Sequence, residues 1–462
     1  MSSQEGEANI DPGMEPVYEF RKRLKQGVFP EESYLDEEEY TIDSSTLENF
    51  LSMYDGQEFN SLKASEWTAH IPSEIIENSG FRGNLYGFIR KETKSIYIFS
   101  GSSFPKNCTV IGYIGNDLSD SWVNLNSASR NIDFVLAGCF SHDDLQLRLL
   151  QVDRIRDNLD SGYQENNFNS FDLVNIKTYN SITNLFSRNS GLLESDDMLD
   201  KCALMVGCGS VGSFAAMELA RSGVGRFVLC DTDILQIHNI CRHQCGFDDL
   251  GRYKVDAVKD KILNINPDAE VIIFHSFIQD IEKEQLLPFL GRDTIIIGGG
   301  DNRASSDFAC RLAIETDSTF ISTNCRTRAF AGEIFYWASG NNLSCYHCAF
   351  AGLIDEERPE SHHTYFGSDE EKELLSFEPG IAADIDYITI IAVKLALDLI
   401  NRDNDNYTPR LLEYLKQYTW ICNTNSTKIG GEIAAIFPNP LWVSNNLRVS
   451  KNENCKYCGD IC

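Results

Sequence analysis

The 462-residue chain changes its rhythm of apolar and polar positions near residue 193. Downstream, short unbroken apolar runs alternate with stretches of helical spacing. Runs at 203–206, 226–230, 271–274, 294–297 and 319–322 predict parallel strands buried on both faces. Between them the spacing predicts helices over 213–222, 255–264 and 304–316, the second one stopped by Pro267. A further strand begins at 335–337, and residues 388–401 (ITIIAVKLALDLIN) form a strongly apolar helix. Residues 418–422 and 434–437 read as late strands of an antiparallel extension. Upstream, residues 1–44 are polar and acidic, with Asp36-Glu37-Glu38-Glu39, and predict a disordered tail. Residues 45–180 predict a separate α+β domain and its linker. Strands fall at 85–88 and 95–99 around a charged turn, and at 109–114 and 132–137. The stretch 143–157 (DDLQLRLLQVDRIRD) has helical spacing, and the Asn-rich 158–180 reads as a linker or loose hairpin. The fold class is therefore α/β, with a doubly wound domain over 181–462 following an N-terminal α+β domain.

The run at 203–206 leads into Gly207-Cys208-Gly209-Ser210-Val211-Gly212, a G-x-G-x-x-G turn. Gly223 and Gly225 end the helix behind it, and the next strand finishes at Asp231. Glycines let the backbone approach a phosphate, the helix N-terminus offers it unpaired N–H groups, and an acid at that distance suits a ribose hydroxyl. This Rossmann-like unit alone fits NAD or FAD equally well. The residues that follow separate the readings: Asp231-Thr232-Asp233, then Asn239, Arg242, Gly251 and Lys254, and later Gly300-Asp301-Asn302. A nicotinamide has no need of an Arg, a Lys and a second Asp. A nucleoside triphosphate does, because the cations bind its phosphates and an Asp holds Mg²⁺ against them. Asp301 follows an apolar run, just past a strand's C-terminal end, where open α/β sheets bind ligands. Each residue also has a plain structural reading. Asp231 could cap a turn, Arg242 and Lys254 could pair in solvent with Asp248 or Asp249, and Asn302 could cap the next helix.

Charge and cysteines narrow the classes. A formal charge of −29 disfavours nucleic acid. No apolar run is long enough to span a bilayer, and the Met1 end does not resemble a signal peptide. Fifteen cysteines without a secretory signal point to reduced thiols and a cytoplasmic location. Cys345/Cys348 and Cys455/Cys458 form two C-x-x-C pairs that fit a tetrahedral structural Zn²⁺ site, the other reading being two unrelated thiol pairs. Cys462 is a spare thiol that could compete as a ligand.

Taken together, GCGSVG, DTD, N-I-C-R, G-R-Y-K, the I-N-P at Asn266-Pro267, GGDN, AGEI at residues 331–334, CYHC and CKYC occur in one order. In these the chain resembles the superfamily of ThiF/MoeB and ubiquitin-activating enzymes, over residues 193–458. The resemblance implies an adenylation domain with a zinc-clipped C-terminal extension. It implies ATP, Mg²⁺ and structural Zn²⁺ as cofactors, and a substrate that is a ubiquitin-like protein or peptide with a flexible C-terminal tail. The reaction would adenylate that carboxylate and release pyrophosphate, for transfer to a thiol or amine. By the same resemblance Gly207, Gly209 and Gly212 form the nucleotide loop. Asp231 binds the ribose, with Asp233 beside it. Asn239, Arg242 and Lys254 hold the phosphates, and Asp301 coordinates Mg²⁺ with Asn302 beside it. Arg188 is the candidate Arg finger, an element sometimes donated by the partner subunit, and a homodimer is expected. Where relatives often carry Gln after the Arg, this chain has His243 and then Gln244. No Cys lies between Cys348 and Cys422, so the thiol of a second, thioester-forming step has no evident candidate. Cys422 is the best of the remaining thiols, and Ser376 and Phe377 stand where a thiol is expected. Residues 356–373, with Arg358, His362 and His363, read as a crossover loop over the substrate tail. A conjugating-enzyme-like partner and a bacterial ubiquitin-like conjugation pathway fit the extra N-terminal domain. Two other classes remain, a non-catalytic nucleotide-binding scaffold and an NAD-dependent oxidoreductase.

In G-F-R-G-N-L-Y-G (residues 80–87) and V-I-G-Y-I-G (110–115) the first domain is similar to JAB/MPN-type isopeptidase domains. A working metallopeptidase needs a His-x-His pair near Gly112–Asn116, and none is present, so the resemblance implies a catalytically dead docking domain. A degenerate adenylation-like half and an unrelated recognition domain are the alternatives.

Overall fold

The structure, a computed structural model, describes residues 66–99, 108–116, 134–141, 144–154, 166–180, 185–299, 303–340, 342–351, 354, 379–447 and 449–459. The chain divides into two units, Met1–Leu185 and Phe186–Cys462.

The first unit is built on one eight-stranded sheet: β1 (Thr68–Pro72), β2 (Gly83–Arg90), β3 (Ser95–Phe99), β4 (Val110–Gly115), β5 (Phe134–Ser141), β6 (Asp144–Arg154), β7 (Asn166–Leu173) and β8 (Asn175–Tyr179). Their order is β7-β6-β5-β4-β2-β3-β1-β8. β1 runs parallel to β3 and β8, and β4 to β5, while the other pairs are antiparallel. Ile71, Leu85, Ile96, Ile98, Ile114, Leu136 and Leu147 form its core.

Two expectations for this unit are corrected. The helix expected over 143–157 is the strand β6, paired with β5 from Ser141↔Asp144 to Phe134↔Gln151. Leu145, Leu147 and Leu149 alternate and are all buried, which is the two-residue period of a strand. Counting Leu145, Leu149 and Val152 as a helical stripe misses that alternation. The expected linker at 158–180 contains β7 and β8. Asn is a poor strand former, so cross-strand pairing decides these segments rather than local preference. Gly112 is fixed by packing, since a Cβ there would sit 2.9 Å from the Leu136 Cβ and 3.0 Å from that of Leu85 on the flanking strands.

The second unit holds β9 (Cys202–Val206), β10 (Arg226–Cys230), β11 (Glu270–Phe274), β12 (Thr294–Gly298), β13 (Thr319–Cys325), β14 (Ala331–Trp337), β15 (Tyr418–Cys422) and β16 (Val443–Leu447), in the order β11-β10-β9-β12-β13-β14-β15-β16. The first five strands in that order are parallel and the last three are antiparallel. On β9, Ala203 and Met205 face a layer built from helices Ser210–Arg221, Lys254–Ile265 and Ala382–Ile400. Cys202, Leu204 and Val206 face the layer that contains helices Arg303–Thr316 and Tyr346–Phe350. Helices on both faces make the sheet doubly wound, as expected, and its order reverses direction between β9 and β12, the switch point where such sheets bind ligands.

The strand expected at 434–437 is instead a 3₁₀ turn, Glu432–Ile436. Gly431 stands at φ 71, which no extended strand tolerates, and Ala434 and Phe437 turn inward while Ile433 and Ile436 face solvent. The edge strand is β16 instead.

Asp398 shows how the C-terminal helix holds its following loop. Its buried carboxylate accepts the Tyr407 hydroxyl (2.7 Å) and the N–H groups of Arg410, Leu411 and Leu412 (2.8, 2.5 and 3.0 Å). Asp398→Ala orphans four donors, so a loss of roughly 3 kcal/mol is expected in urea unfolding. A loss under about 0.5 kcal/mol would mean that water replaces these bonds.

Candidate functional site

At the switch point the chain leaves β9 through Gly207, whose φ of 93 favours glycine, and whose N–H donates to the Cys230 carbonyl at 2.9 Å. The helix Ser210–Arg221 starts at once. Gly212 presses against the turn, because a Cβ there would lie 1.9 Å from the Gly207 oxygen. Gly209 faces open space, with nothing within 4 Å of a built Cβ. Gly299, leaving β12, donates to the Val206 carbonyl at 3.1 Å, so the exit of β12 lies beside the glycine turn. The three glycines thus form a cradle that a nucleotide phosphate fits. Gly212→Ala must displace backbone, and nucleotide affinity is expected to fall by about tenfold or more. Calorimetric titration with ATP checks this, and unchanged affinity would remove the turn from the site.

Asp231, at the end of β10, braces this turn. Its Oδ2 accepts the Cys208 N–H at 2.7 Å and its Oδ1 accepts the Asp233 N–H at 2.8 Å. Each carboxylate oxygen has a second lone pair free to take a ribose hydroxyl. Lys254 opens the next helix and is 8% exposed, with Nζ 2.6 Å from Oδ2 of the exposed Asp233. Its own N–H donates to the Asp233 carbonyl at 2.9 Å, and an Ile234↔Tyr253 bridge closes the loop. The structure therefore brings Gly207, Gly209, Gly212, Asp231, Asp233 and Lys254 together.

Pairing of Lys254 with Asp248 or Asp249 does not occur. Asp249 belongs to Arg252 (2.8 Å) and Lys261 (3.2 Å). Burial raises the Asp249 pKa, but the Gly246 N–H and these two cations outweigh it and hold the carboxyl below its usual range.

Asn239 ends the 3₁₀ turn Ile237–Asn239. Its Oδ1 accepts the Gln236 N–H at 2.9 Å, and its carbonyl takes the N–H groups of Arg242 and His243. It shapes the loop that carries the half-buried Arg242. Asn266 of the I-N-P motif is structural, donating to the Val224 carbonyl at 3.2 Å. Arg188 is not brought to its own chain's glycine turn. The adjacent Asn189 donates to the carbonyl of Arg221, the last residue of helix Ser210–Arg221, about 18 Å along the helix from the turn. Asp301, Asn302 and the expected crossover loop at 356–373 lie outside the described residues.

Two features escaped the sequence reading. Glu333 on β14 is 3% exposed and accepts from Arg303 (2.9 Å), Arg326 (2.6 Å) and the Tyr418 hydroxyl (2.6 Å). It ties the start of helix Arg303–Thr316, directly after Asp301-Asn302, to the antiparallel half of the sheet. A single acid inside the apolar strand AGEIFYW was the available signal. The other is His243, buried beside Cys208.

Among the thiols, burial is the main force raising Cys208 well above its ordinary value and Cys245 to about 12. Cys422, the best thioester candidate by position, is 0% exposed with its pKa raised by burial, an inert environment for a nucleophile.

Cys345, Cys348, Cys455 and Cys458 converge as their spacing predicts. Their sulfurs all lie within 4.8 Å of one another, with 345–348, 345–455 and 348–458 each at 3.6 Å. Four sulfurs about 2.3 Å from a tetrahedral Zn²⁺ stand ~3.8 Å apart, so the cluster fits that ion. It is the one such cluster among the described residues. It joins the start of helix Tyr346–Phe350 to the C-terminal tail, a junction reinforced by the Ser344 hydroxyl on the Val449 carbonyl at 2.8 Å. Cys462 lies outside the described residues. No described helix is long and apolar enough to cross a membrane.

Residues 183–424, more than half of the chain, match the ThiF family. The tRNA threonylcarbamoyladenosine dehydratase of Bacillus subtilis (strain 168) is 39% identical over 115 residues, 24% of this chain and 45% of that protein. Ubiquitin-like modifier-activating enzyme 5 of Caenorhabditis elegans is 28% identical over 180 residues, 35% of this chain and 42% of that one. The sulfur carrier protein ThiS adenylyltransferase of Escherichia coli (strain K12) is 26% identical over 165 residues, 35% of this chain and 62% of that one. The chain thus spans less than two thirds of each of these relatives. A crystal structure of E. coli MccB with ATP is 16% identical, with a TM-score of 0.41 over 57% of this chain and 68% of that one.

Proposed function

Because this chain belongs to the ThiF family, we propose that it is an ATP-dependent adenylyltransferase acting on the C-terminal carboxylate of a ubiquitin-like protein or peptide. The observation that carries this reading is Lys254: a buried ammonium beside Asp231 and the glycine turn, countered by a carboxylate that is 62% exposed. A triphosphate can displace or share that exposed partner. Adenylation brings two anions together, so the site needs positive charge more than it needs a base. Lys254 and Arg242 neutralise the phosphates, Asp231 orients the ribose, and the N–H groups after Gly207 receive phosphate oxygens. A bound Mg²⁺ would supply Lewis-acid stabilisation of the phosphate charge. Asp301 and Asn302 are the residues that would hold it; Gly299, two residues earlier in the chain, lies beside the glycine turn. Zn²⁺ held by Cys345, Cys348, Cys455 and Cys458 would be structural, because four protein ligands leave no open position. A second copy of the chain would supply Arg188, since within one chain this residue stands at the far end of helix Ser210–Arg221. The N-terminal unit serves docking in this reading. The reaction's acyl acceptor is a thiol or amine outside the buried cysteines described above.

The test is ATP–pyrophosphate exchange with candidate ubiquitin-like proteins and their C-terminal peptides, wild type against Asp301→Ala. Substrate-dependent exchange that the variant loses supports adenylation. ATP binding without exchange across the panel points to the scaffold instead, and absence of ATP binding removes the nucleotide site.

A further inference from the structure

Both polar groups of the Cys208 residue are held. Its N–H goes to Asp231, and its carbonyl oxygen lies 2.7 Å from Nε2 of His243. The proton's location on that imidazole follows from its other nitrogen. Nδ1 faces the Cys245 N–H at 3.0 Å, and a backbone N–H can only donate, so Nδ1 carries a lone pair. Nε2 therefore holds the proton and donates it to the Cys208 carbonyl. His243 is buried, 8% exposed.

The peptide after Cys208 is planar and trans, so its N–H points opposite to its C=O. A carbonyl fixed inward on His243 turns the Gly209 N–H outward, to the open side of the turn. Among the described residues none accepts that N–H. We infer that His243 is a positioning residue of the nucleotide site: it locks the Cys208–Gly209 peptide so that the Gly209 N–H is presented to a phosphate. This rests on the nucleotide reading proposed above and adds to it a dependence on pH.

A doubly protonated imidazole would set an Nδ1–H against the Cys245 N–H, two donors facing each other, so the ring could not keep both bonds at its present position. Burial is the main force keeping His243 below its ordinary 6.5. The Lys254 ammonium acts in the same direction, while the bond to the Cys208 carbonyl and the Asp231 and Asp249 carboxylates oppose it. The adjacent Cys208 and Cys245 are held as neutral thiols. With a depressed folded-state pKa, the stability this histidine contributes is complete above 6.5 and is lost as pH falls through the lower folded value.

The experiment titrates the full chain with MgATP at pH 7.5 and in steps down through the folded-state value of His243, for wild type, His243→Leu and His243→Gln. Hydrogen exchange at the Cys208 and Cys245 amides is followed without nucleotide. The leucine variant is expected to bind about tenfold more weakly at pH 7.5. The glutamine variant, whose amide can still donate to the Cys208 carbonyl, recovers most of that loss. As pH falls through the folded-state value of His243, wild type weakens more than the glutamine variant. Equal pH dependence in those two proteins, or full affinity in the leucine variant, overturns the inference. If wild type binds no MgATP, the nucleotide reading fails and the exchange decides. Cys208 and Cys245 amides protected at pH 7.5 and exposed in the leucine variant then keep the lock, and equal exchange refutes it. If the leucine variant does not fold, the wild-type and glutamine pH profiles still decide.

Discussion

Replacing Cys345 and Cys348 together by serine is expected to remove one bound zinc per chain and to collapse the stability of the second unit. Serine leaves a two-thiolate site that cannot close a tetrahedron. Structural zinc contributes on the order of 10 kcal/mol in small domains, comparable to the whole stability of a typical fold. In this chain the cluster packs under Tyr346, Phe350 and Tyr457 in the same core that holds Leu204 and Phe320. Loss of the ion therefore loosens the helix layer behind β9 and β12 as well as the tail. Metal analysis and thermal melting of the wild type, the double variant and chelator-treated wild type measure this. Wild-type protein without zinc, or a double variant that melts where wild type does, would rule out a structural metal.

Lys254→Met should nearly abolish nucleotide-dependent chemistry and leave folding almost untouched. In the proposed site the lost ammonium is one of the charges facing the developing negative charge, and removing one such group commonly costs ~10²–10³ in rate. Stability should move by less than about 1 kcal/mol, because Asp233 is exposed and returns to water when its partner is removed. Methionine keeps the buried stem that packs beneath the loop. Exchange rate, ATP affinity and melting temperature measured on one preparation separate the two effects. A variant that retains full exchange with a measured substrate would exclude Lys254 from the phosphate site. One that fails to fold would show that the ammonium is a structural group.

The second unit was legible because its strands are buried on both faces. Five short apolar runs became the five parallel strands β9 to β13, since continuous apolarity with glycine punctuation has few other solutions. The first unit was harder. The run that became β6 contains both a two-residue alternation and a helical stripe, and only its pairing with β5 selects the strand. At 434–437 the apolar composition was correct and its direction was not, because Gly431 turns the chain so that alternate side chains do not share a face.

The site divides in a similar way. Sequence alone determined which groups are present: three glycines, Asp231, Lys254 and two cysteine pairs, each recognisable by spacing. It could not determine their partners, because a partner distant along the chain leaves no local pattern. Only the tertiary structure places Lys254 on Asp233 rather than Asp249, and gives Asp249 to Arg252 and Lys261. It also buries Cys422, leaves Arg188 at the end of helix Ser210–Arg221 far from the glycine turn, and sets His243 against the carbonyl of Cys208. Periodicity and spacing record local geometry, which the chain carries from residue to residue. Burial and pairing arise when distant segments meet, and here they decide which residues are reactive and which only hold the site in place.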